Sequence, residues 1–319
     1  MTQAPYFGEA LALGSPLAWA FAVLLFRKTG ESVPPVALTL FKNTLATLLF
    51  GITLLIVGGG APPDVGPWDY VLLLASGAIG VAVADGLFFM CLNRVGAARQ
   101  AIINTAYSPP IIFLSVLFLG ESLTLGQVLG VVLILGAVLS VSFDRSALTR
   151  ERPAHLTTGV LLGVGACVTQ AISIVMIKNQ LEGWPVIWTT TVRMVGGLLA
   201  AVLALPLLPR AARDLSSLAD RRTWRFMIPG VVVGTYISLL LWMGGFKFAD
   251  ASVASALNQT ATLFTFGLAV LILKEPVTRK GLVGLALGLA GVACVTFLAK
   301  DAPEQAEPPA DPPAVVLAL

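Results

Sequence analysis

Residues 120–143 read GESLTLGQVLGVVLILGAVLSVSF, and residues 274–297 read KEPVTRKGLVGLALGLAGVACVTF. The two stretches align without a gap at an offset of 154 residues. Identical residues at this offset include Asn104/Asn258, Glu121/Glu275, Thr124/Thr278 and Gly130/Gly284. A match over this length indicates that the chain contains two related halves.

A second match lies near the start of each half. Residues 8–43 align with residues 159–194 at an offset of 151, which places Lys42 opposite Arg193. Each half contains five long apolar segments, and because five is odd the second half enters a bilayer from the opposite side. Related halves of inverted topology are typical of secondary transporters, whose binding site lies near the membrane midplane between the halves.

The composition is that of a helical membrane protein. Apolar residues make up 57% of the chain and charged residues 12%, and the mean hydropathy is +0.89. A bilayer span needs about 20 apolar residues, and helices satisfy their own backbone in lipid. Ten segments qualify: 8–27, 36–57, 69–91, 97–119, 123–143, 157–178, 186–208, 225–246, 251–273 and 277–298.

These segments group into a first repeat at 8–143 and a second repeat at 157–298. The first segment is expected to be a retained helix, because its nearest positive charges, Arg27 and Lys28, follow the apolar run, whereas in a secretory signal they precede it. Residues 299–319 are rich in Pro, Ala and acidic residues and are predicted to be disordered.

The basic residues predict an orientation. Of the 20 basic residues, Lys42 and Arg193 lie within segments, and three follow even-numbered segments: Lys178, Lys247 and Lys300. The remaining 15 follow odd-numbered segments. Because positive charge is retained in the cytoplasm, this bias predicts cytoplasmic odd-numbered loops and both termini outside.

The chain resembles the EamA-type repeat of the drug/metabolite transporter superfamily. The resemblance depends on Glu121 and Glu275, each followed by Leu or Val, then Thr and a glycine-spaced apolar segment, and on a proline eight residues before Lys42 and before Arg193. It implies an all-α membrane protein of ten transmembrane helices, arranged as two inverted five-helix repeats around a central cavity. It also implies termini in the cytoplasm, opposite to the charge bias.

Members of that family export amino acids, other metabolites or drugs. Aromatic amino-acid exporters are one branch, marked by an Asn-Tyr-Leu-Trp-Pro run. Segment 4 of this chain instead reads NTAYSPP over residues 104–110, which departs from that branch. The resemblance therefore favours a secondary transporter of a small organic metabolite such as an amino acid, acting as an exporter in the inner (plasma) membrane. A multidrug-type exporter and a non-transporting receptor or scaffold are the alternatives.

Charged residues inside the apolar segments call for a partner or a function. Lys42 and Asp85 both lie roughly 9 Å from the same membrane face in neighbouring antiparallel segments, so we predict that they form an ion pair. The pair is either structural or a switchable coupling element. Arg193 has no equivalent acid, because Leu239 occupies the position that corresponds to Asp85. Its guanidinium is predicted to face an anionic substrate group or water, or to snorkel to the interface.

Polar residues interrupt segments 4 and 9. Pro109-Pro110 frees backbone carbonyls in segment 4 that must face protein or a cavity. The candidate cavity residues of these segments are Asn104, Tyr107, Asn258 and Gln259, with helix–helix packing as the alternative. Trp19, Gln170 and Tyr236 are further candidates in segments 1, 6 and 8, with core packing as their alternative. Glycines spaced along segments 5 and 10 predict close-packed faces.

Other function classes find no support in the sequence. The cysteines Cys91, Cys167 and Cys294 lie within apolar segments without metal-ligand spacing, and neither a phosphate-binding GxxxxGK[ST] loop nor a hydrolase motif occurs. We therefore expect neither an enzyme nor an ATP-driven pump, and no metal or cofactor. The expected partners are a small-molecule substrate and membrane lipid, without nucleic acid, and a monomer is expected to suffice.

Overall fold

The computed structural model describes residues 7–57, 65–119, 124–142, 153–177, 180, 184–208, 210–242 and 260–297. Within these ranges the chain is helical, with short connections. Each of the ten predicted apolar segments contains a helix, and we number these helices α1 to α10 in chain order. Residues 243–259 and 298–319 lie outside the described residues, and with them the start of segment 9 and the predicted disordered tail.

The first half contains α1 to α5. Helix α1 is Phe7–Thr29, α2 is Pro35–Val57, α3 is Pro67–Val95 and α5 is Leu125–Ser142. Helix α4 has three parts, an α-helical turn at Ala97–Ile103, a 3₁₀ turn at Asn104–Tyr107 and an α-helix at Ser108–Leu119.

The second half contains α6 to α10. The bounds are Pro153–Val175 for α6, Val186–Ala204 for α7, Arg221–Trp242 for α8, Ala261–Ile272 for α9 and Arg279–Phe297 for α10. A short helix at Ala211–Ser216 lies in the stretch before α8, which the sequence reading treated as a loop. Among the described helices, six are long and apolar enough to cross a membrane: α1, α2, α3, α6, α7 and α8.

Helix α3 shows how local sequence sets the boundaries. Pro67 occupies the first helical turn, where its missing N–H is harmless, and the Asp69 carboxylate accepts the N–H of Gly66 at 3.0 Å. The helix ends at Gly96, whose φ of 85° is open to glycine and strained for other residues. Because α4 begins at Ala97, the two helices are joined by that single residue. The predicted segment 69–91 was therefore too short at both ends.

Two π-helical turns interrupt the long helices, and the sequence did not predict either. One covers Ala78–Val83 in α3 and the other covers Val231–Ile237 in α8. The offset of 154 residues that relates the halves carries Gly80 of the first turn onto Gly234 of the second. The π-helical turn therefore recurs at equivalent positions in the two halves.

Each π turn contains a glycine pressed against a helix of the other half. A Cβ on Gly80 would overlap the side chain of Ser173 in α6, and a Cβ on Gly234 would overlap Ala22 in α1. Ser173 and Ala22 are themselves equivalent at the offset of 151. Helix α3 thus packs on α6 while α8 packs on α1, so each contact has a counterpart with the halves exchanged.

Equivalent helices also pack on each other across the two halves. Helix α2 packs on α7, α4 on α9 and α5 on α10. The closest approach of α5 and α10 is at Gly130 and Gly291, where a Cβ on Gly130 would lie 2.6 Å from the carbonyl oxygen of Gly291. The predicted close packing of these helices is present at Gly130 and Gly291. The halves are intertwined and are not separate lobes.

Apolar side chains cover both the inside and the outside of this bundle. Phe26, Phe50 and Phe89 are buried in the largest core cluster. On the outer surface Leu55 is 83% exposed and Leu207 81% exposed. Exposed leucines of this kind on long apolar helices are suited to contact with lipid.

The two ends of the bundle differ in composition. At one end the last turns of α1 and α3 meet the start of α4 and the residue Glu275 before α10. At the other end the Gln180 amide donates to Asp69 at 3.2 Å, and the rings of Trp184 and Trp188 lie 5.7 Å apart. The loops that follow segments 1, 3 and 9 therefore share one end, as the charge count assumed. Arg27, Lys28 and Arg94 lie at this end, which we call the basic end.

Candidate functional site

The predicted ion pair is present. The Lys42 ammonium in α2 lies 2.6 Å from Oδ2 of Asp85 in α3, and the Lys42 side chain is only 5% exposed. Both residues belong to the first half. The pairing prediction, which depended on equal depth in antiparallel helices, is confirmed.

Further polar groups line the same face of α2. The Asn43 amide donates to the backbone carbonyl of Val81 at 3.2 Å, inside the π turn of α3. Among the described residues, no hydrogen-bond partner is found for three neighbouring oxygens: Thr39 Oγ1, Asn43 Oδ1 and Thr47 Oγ1. These positions are four residues apart, so they stack along one side of the helix. A polar track therefore passes through the ion pair.

Arg193 in α7 is held by two serines. Its Nε donates to Ser76 Oγ in α3 at 3.1 Å, and its Nη2 donates to Ser173 Oγ in α6 at 3.0 Å. Both serines are fully buried. Since the guanidinium is directed toward α3 and α6, the snorkelling alternative is wrong.

The serines are fixed by each other. Ser76 Oγ donates to the carbonyl of Ser173 at 2.8 Å, and Ser173 Oγ donates to the carbonyl of Ser76 at 2.8 Å. Each hydroxyl has one proton, so both hydroxyls can only accept from Arg193. The backbone approaches closely here as well, because a Cβ on Gly77 would overlap the carbonyl oxygen of Arg193.

The irregular part of α4 lies beside this arginine. Pro109 and Pro110 cannot donate to the carbonyls four residues earlier, and those carbonyls belong to the 3₁₀ turn Asn104–Tyr107. The Asn104 side chain is exposed, whereas Tyr107 is partly buried and packs on the core. Tyr107 and Asp85 both interact electrostatically with Arg193. The predicted interruption of segment 4 is therefore present, immediately before the prolines.

The other described sequence candidates lie in three separate places. The Trp19 ring packs 5.8 Å from the ring of Phe88, which fits the core-packing alternative. Gln170 is partly buried beside Gly80, and a Cβ added to Gly80 would lie 3.2 Å from the amide oxygen of Gln170. The Tyr236 hydroxyl lies 2.6 Å from Thr53 Oγ1, which joins the π turn of α8 to α2. Asn258 and Gln259 lie outside the described residues.

A cluster at the basic end was missed by the sequence reading. The Glu275 carboxylate accepts the backbone N–H groups of Ala97 and Ala98, each at 2.8 Å, and so caps the first turn of α4. Arg27 Nε lies 3.9 Å from the same carboxylate, and Arg27 Nη1 donates to the carbonyl of Asn93 at 2.9 Å. The recurrence of Glu121 and Glu275 marked this residue, but not its contacts.

Metal binding has no geometric support where the structure is described. In those ranges, no group of three or more His, Cys, Asp or Glu side chains could hold an ion. The site is instead built from one ion pair, one serine-bound arginine and aromatic and amide side chains. Such a site can bind and orient a small polar molecule.

Comparison with known proteins identifies the family. The sequence profile of the EamA-like transporter family matches residues 6–143 and again residues 157–297. The chain belongs to the EamA-like transporter family. It is accordingly a multi-pass membrane transport protein, and the two matched ranges contain α1–α5 and α6–α10.

Two relatives are consistent with this membership. An uncharacterized transporter of Archaeoglobus fulgidus is 22% identical over 279 residues, which cover 87% of this chain and 94% of that protein. A solved crystal structure superposes with a TM-score of 0.57 at 18% identity, covering 93% of this chain and 99% of the other. At this identity the second likeness concerns the fold alone.

Proposed function

We propose that this EamA-like protein is a secondary transporter that moves a small organic metabolite, such as an amino acid, by alternating access. Export across the inner (plasma) membrane is the proposed direction. The proposed architecture is ten transmembrane helices in two inverted repeats, 8–143 and 157–298, around a central cavity. The single observation that supports it most is the reciprocal contact of the π turns.

That contact has the form expected of a two-fold axis. Gly80 of the first half touches Ser173 of the second, and Gly234 of the second half touches Ala22 of the first. When two related bodies exchange places about a two-fold axis, each contact between non-equivalent positions must occur twice. With five helices in each half, such an axis lies in the membrane plane, as in transporters with inverted repeats.

The charged groups lie where such a transporter would use them. Arg193 belongs to the second half but is bound through Ser76 to α3 of the first half. Rocking of one half against the other would change the Arg193–Ser76 contact, because its two residues belong to different halves. The Lys42–Asp85 pair lies entirely within the first half and would move with it. We propose that the cavity residues around Arg193 are Trp19, Asn104, Tyr107, Gln170, Tyr236, Asn258 and Gln259. We propose the Lys42–Asp85 pair as the coupling element.

The direct test is flux through the purified protein. Proteoliposomes loaded with a panel of amino acids, other small metabolites and cationic dyes would be assayed for counterflow, with and without a pH gradient. We expect saturable flux of at least one amino acid or related solute above that of empty liposomes. A preference for dyes would favour a multidrug-type exporter, and the absence of any flux from folded protein would favour a receptor or scaffold.

A further inference from the structure

We propose that Arg193 is a binding subsite for the carboxylate of a monoanionic or zwitterionic substrate. The inference depends on the proposed transport function and adds a substrate class to it. It follows from charge balance, from the way in which the serines orient the guanidinium, and from the absence of the same arrangement in the equivalent place of the other half.

The first step is charge balance. In the described helices, only three acidic or basic residues lie more than six positions from a helix end: Lys42, Asp85 and Arg193. The first two form an ion pair at 2.6 Å and cancel. No carboxylate within the described ranges lies within 4.0 Å of the Arg193 guanidinium. In the described helices the three charges therefore sum to one positive charge, which a monoanion would neutralise.

The second step is orientation. A guanidinium has five N–H donors on a planar fork. Ser76 and Ser173 occupy the edge formed by Nε and Nη2, and because both hydroxyl protons are already donated to backbone carbonyls, the serines hold that edge firmly. The opposite edge, formed by Nη1 and Nη2, keeps three donors without a described protein acceptor. This is the edge that binds a carboxylate bidentately.

The third step is the comparison between halves. The positions equivalent to Ser76 and Ser173 are Gly230 and Ala22, and the position equivalent to Arg193 is Lys42. In the first half, Lys42 is neutralised by Asp85, and the equivalent positions Gly230 and Ala22 offer it no hydroxyl group. At Arg193 the equivalent acid is replaced by Leu239, and the guanidinium donates to Ser76 of the first half and Ser173 of the second. Lys42 therefore has a fixed acidic partner. Arg193 has a fixed orientation but no carboxylate partner among the described residues.

Arginine suits this role better than lysine. Its planar fork retains a bidentate edge after two donors have been used, whereas an ammonium is a compact point charge. Tyr107, in the interrupted part of α4, is among the groups that interact electrostatically with Arg193. A carboxylate held there would be near both halves, where alternating access requires the substrate to lie.

The experiment measures binding of paired probes to purified protein in detergent. The probes are the standard amino acids and small monocarboxylates such as pyruvate, lactate and benzoate, each beside the amide that lacks its carboxylate. We expect at least one carboxylate to raise the melting temperature of the wild type while its amide does not. Arg193→Lys should weaken binding of that probe about 10- to 100-fold, and Arg193→Gln should abolish it, as for lost charge-assisted hydrogen bonds.

Two further variants keep the test valid if Arg193→Gln fails to fold. Ser173→Ala retains the guanidinium but removes one of its acceptors, and the equivalent Ala22 shows that alanine is compatible with this contact. We expect a weakening of about 3- to 10-fold for one lost hydrogen bond. Arg221→Lys and Arg221→Gln, at an exposed arginine at the start of α8, are the matched controls and should leave binding unchanged.

Failure of the subsite and failure of transport are distinguishable. If carboxylate probes are transported and Arg193→Gln transports them as well as the wild type, the subsite is overturned and the transporter stands. If no carboxylate binds to the wild type, or if Arg193→Gln binds it with unchanged affinity, the subsite is also overturned. Absence of all flux in proteoliposomes would instead overturn the proposed function.

Discussion

The Lys42 ammonium lies 2.6 Å from Oδ2 of Asp85, and this ion pair links α2 to α3. Both residues lie more than one helical turn from the nearest end of their helix. The lysine is nearly inaccessible, whereas the Asp85 side chain is 27% exposed. The acid is therefore the member of the pair that solvent or a solute reaches first.

Neutralising the acid alone should be more harmful than neutralising both partners. Asp85→Asn leaves a buried ammonium without a counter-charge, and breaking a buried pair costs about 3–5 kcal/mol. The double variant, Asp85→Asn with Lys42→Gln, removes both charges and should recover part of that loss. Thermal unfolding of the purified variants in detergent checks this. Equal destabilisation in the single and double variants would indicate that Asp85 acts alone, for example as a proton carrier.

Glu275→Gln should destabilise the basic end of the bundle. The carboxylate accepts two backbone N–H groups, from Ala97 and Ala98, whereas the amide of glutamine has one acceptor oxygen. We expect a loss of about 1–2 kcal/mol, similar to that of a helix cap. Glu31→Gln is the control, because its exposed carboxylate bonds only to Lys28 in the same turn of chain. A melting temperature equal to that of the control would contradict this assignment.

Alanine at the glycines of the π turns should disturb the packing between the halves. Gly234→Ala places a methyl group against Ala22 and should cost about 1–3 kcal/mol through overpacking. Gly51→Ala is the matched control, because nothing lies within 4 Å of a Cβ at that helical position. It should be neutral or stabilising by up to about 1 kcal/mol, since alanine favours helices.

The same contact can be tested by rescue. Ala22→Gly removes the obstructing methyl group, so combining it with Gly234→Ala should restore much of the lost thermal stability, although Ala22→Gly alone is unfavourable in a helix. Strict additivity of the two effects would show that Gly234 and Ala22 do not meet.

The basic end of the bundle should face the cytoplasm. With 15 of the 18 basic residues outside segments on the side of the odd-numbered loops, retention of positive charge places both termini on the other side. A C-terminal alkaline phosphatase fusion should therefore be active and a green fluorescent protein fusion dark. The opposite pattern would show that the family topology prevails over the charge bias.

The sequence predicted what depends on hydropathy and depth. The ten segments followed from apolar length, and the contact of Lys42 with Asp85 followed from their equal distance from one face. The π turns could not be predicted, because they appear where Gly80 and Gly234 meet the other half, and this contact leaves no local pattern. The contact of Ser76 with Arg193 could not be predicted for a related reason, because a single serine in an apolar segment forms no periodic pattern. The partners of Glu275 also required the folded chain, because they lie in the other half.

The cap on α4 has a consequence for biosynthesis. Glu275 follows Ala97 by 178 residues, and at about 5–20 residues per second the ribosome needs roughly 10–40 s to supply it. During that interval the first turn of α4 has been made while the carboxylate that accepts its N–H groups has not. The first turn of α4 must therefore remain without this cap until the residues before α10 have been made.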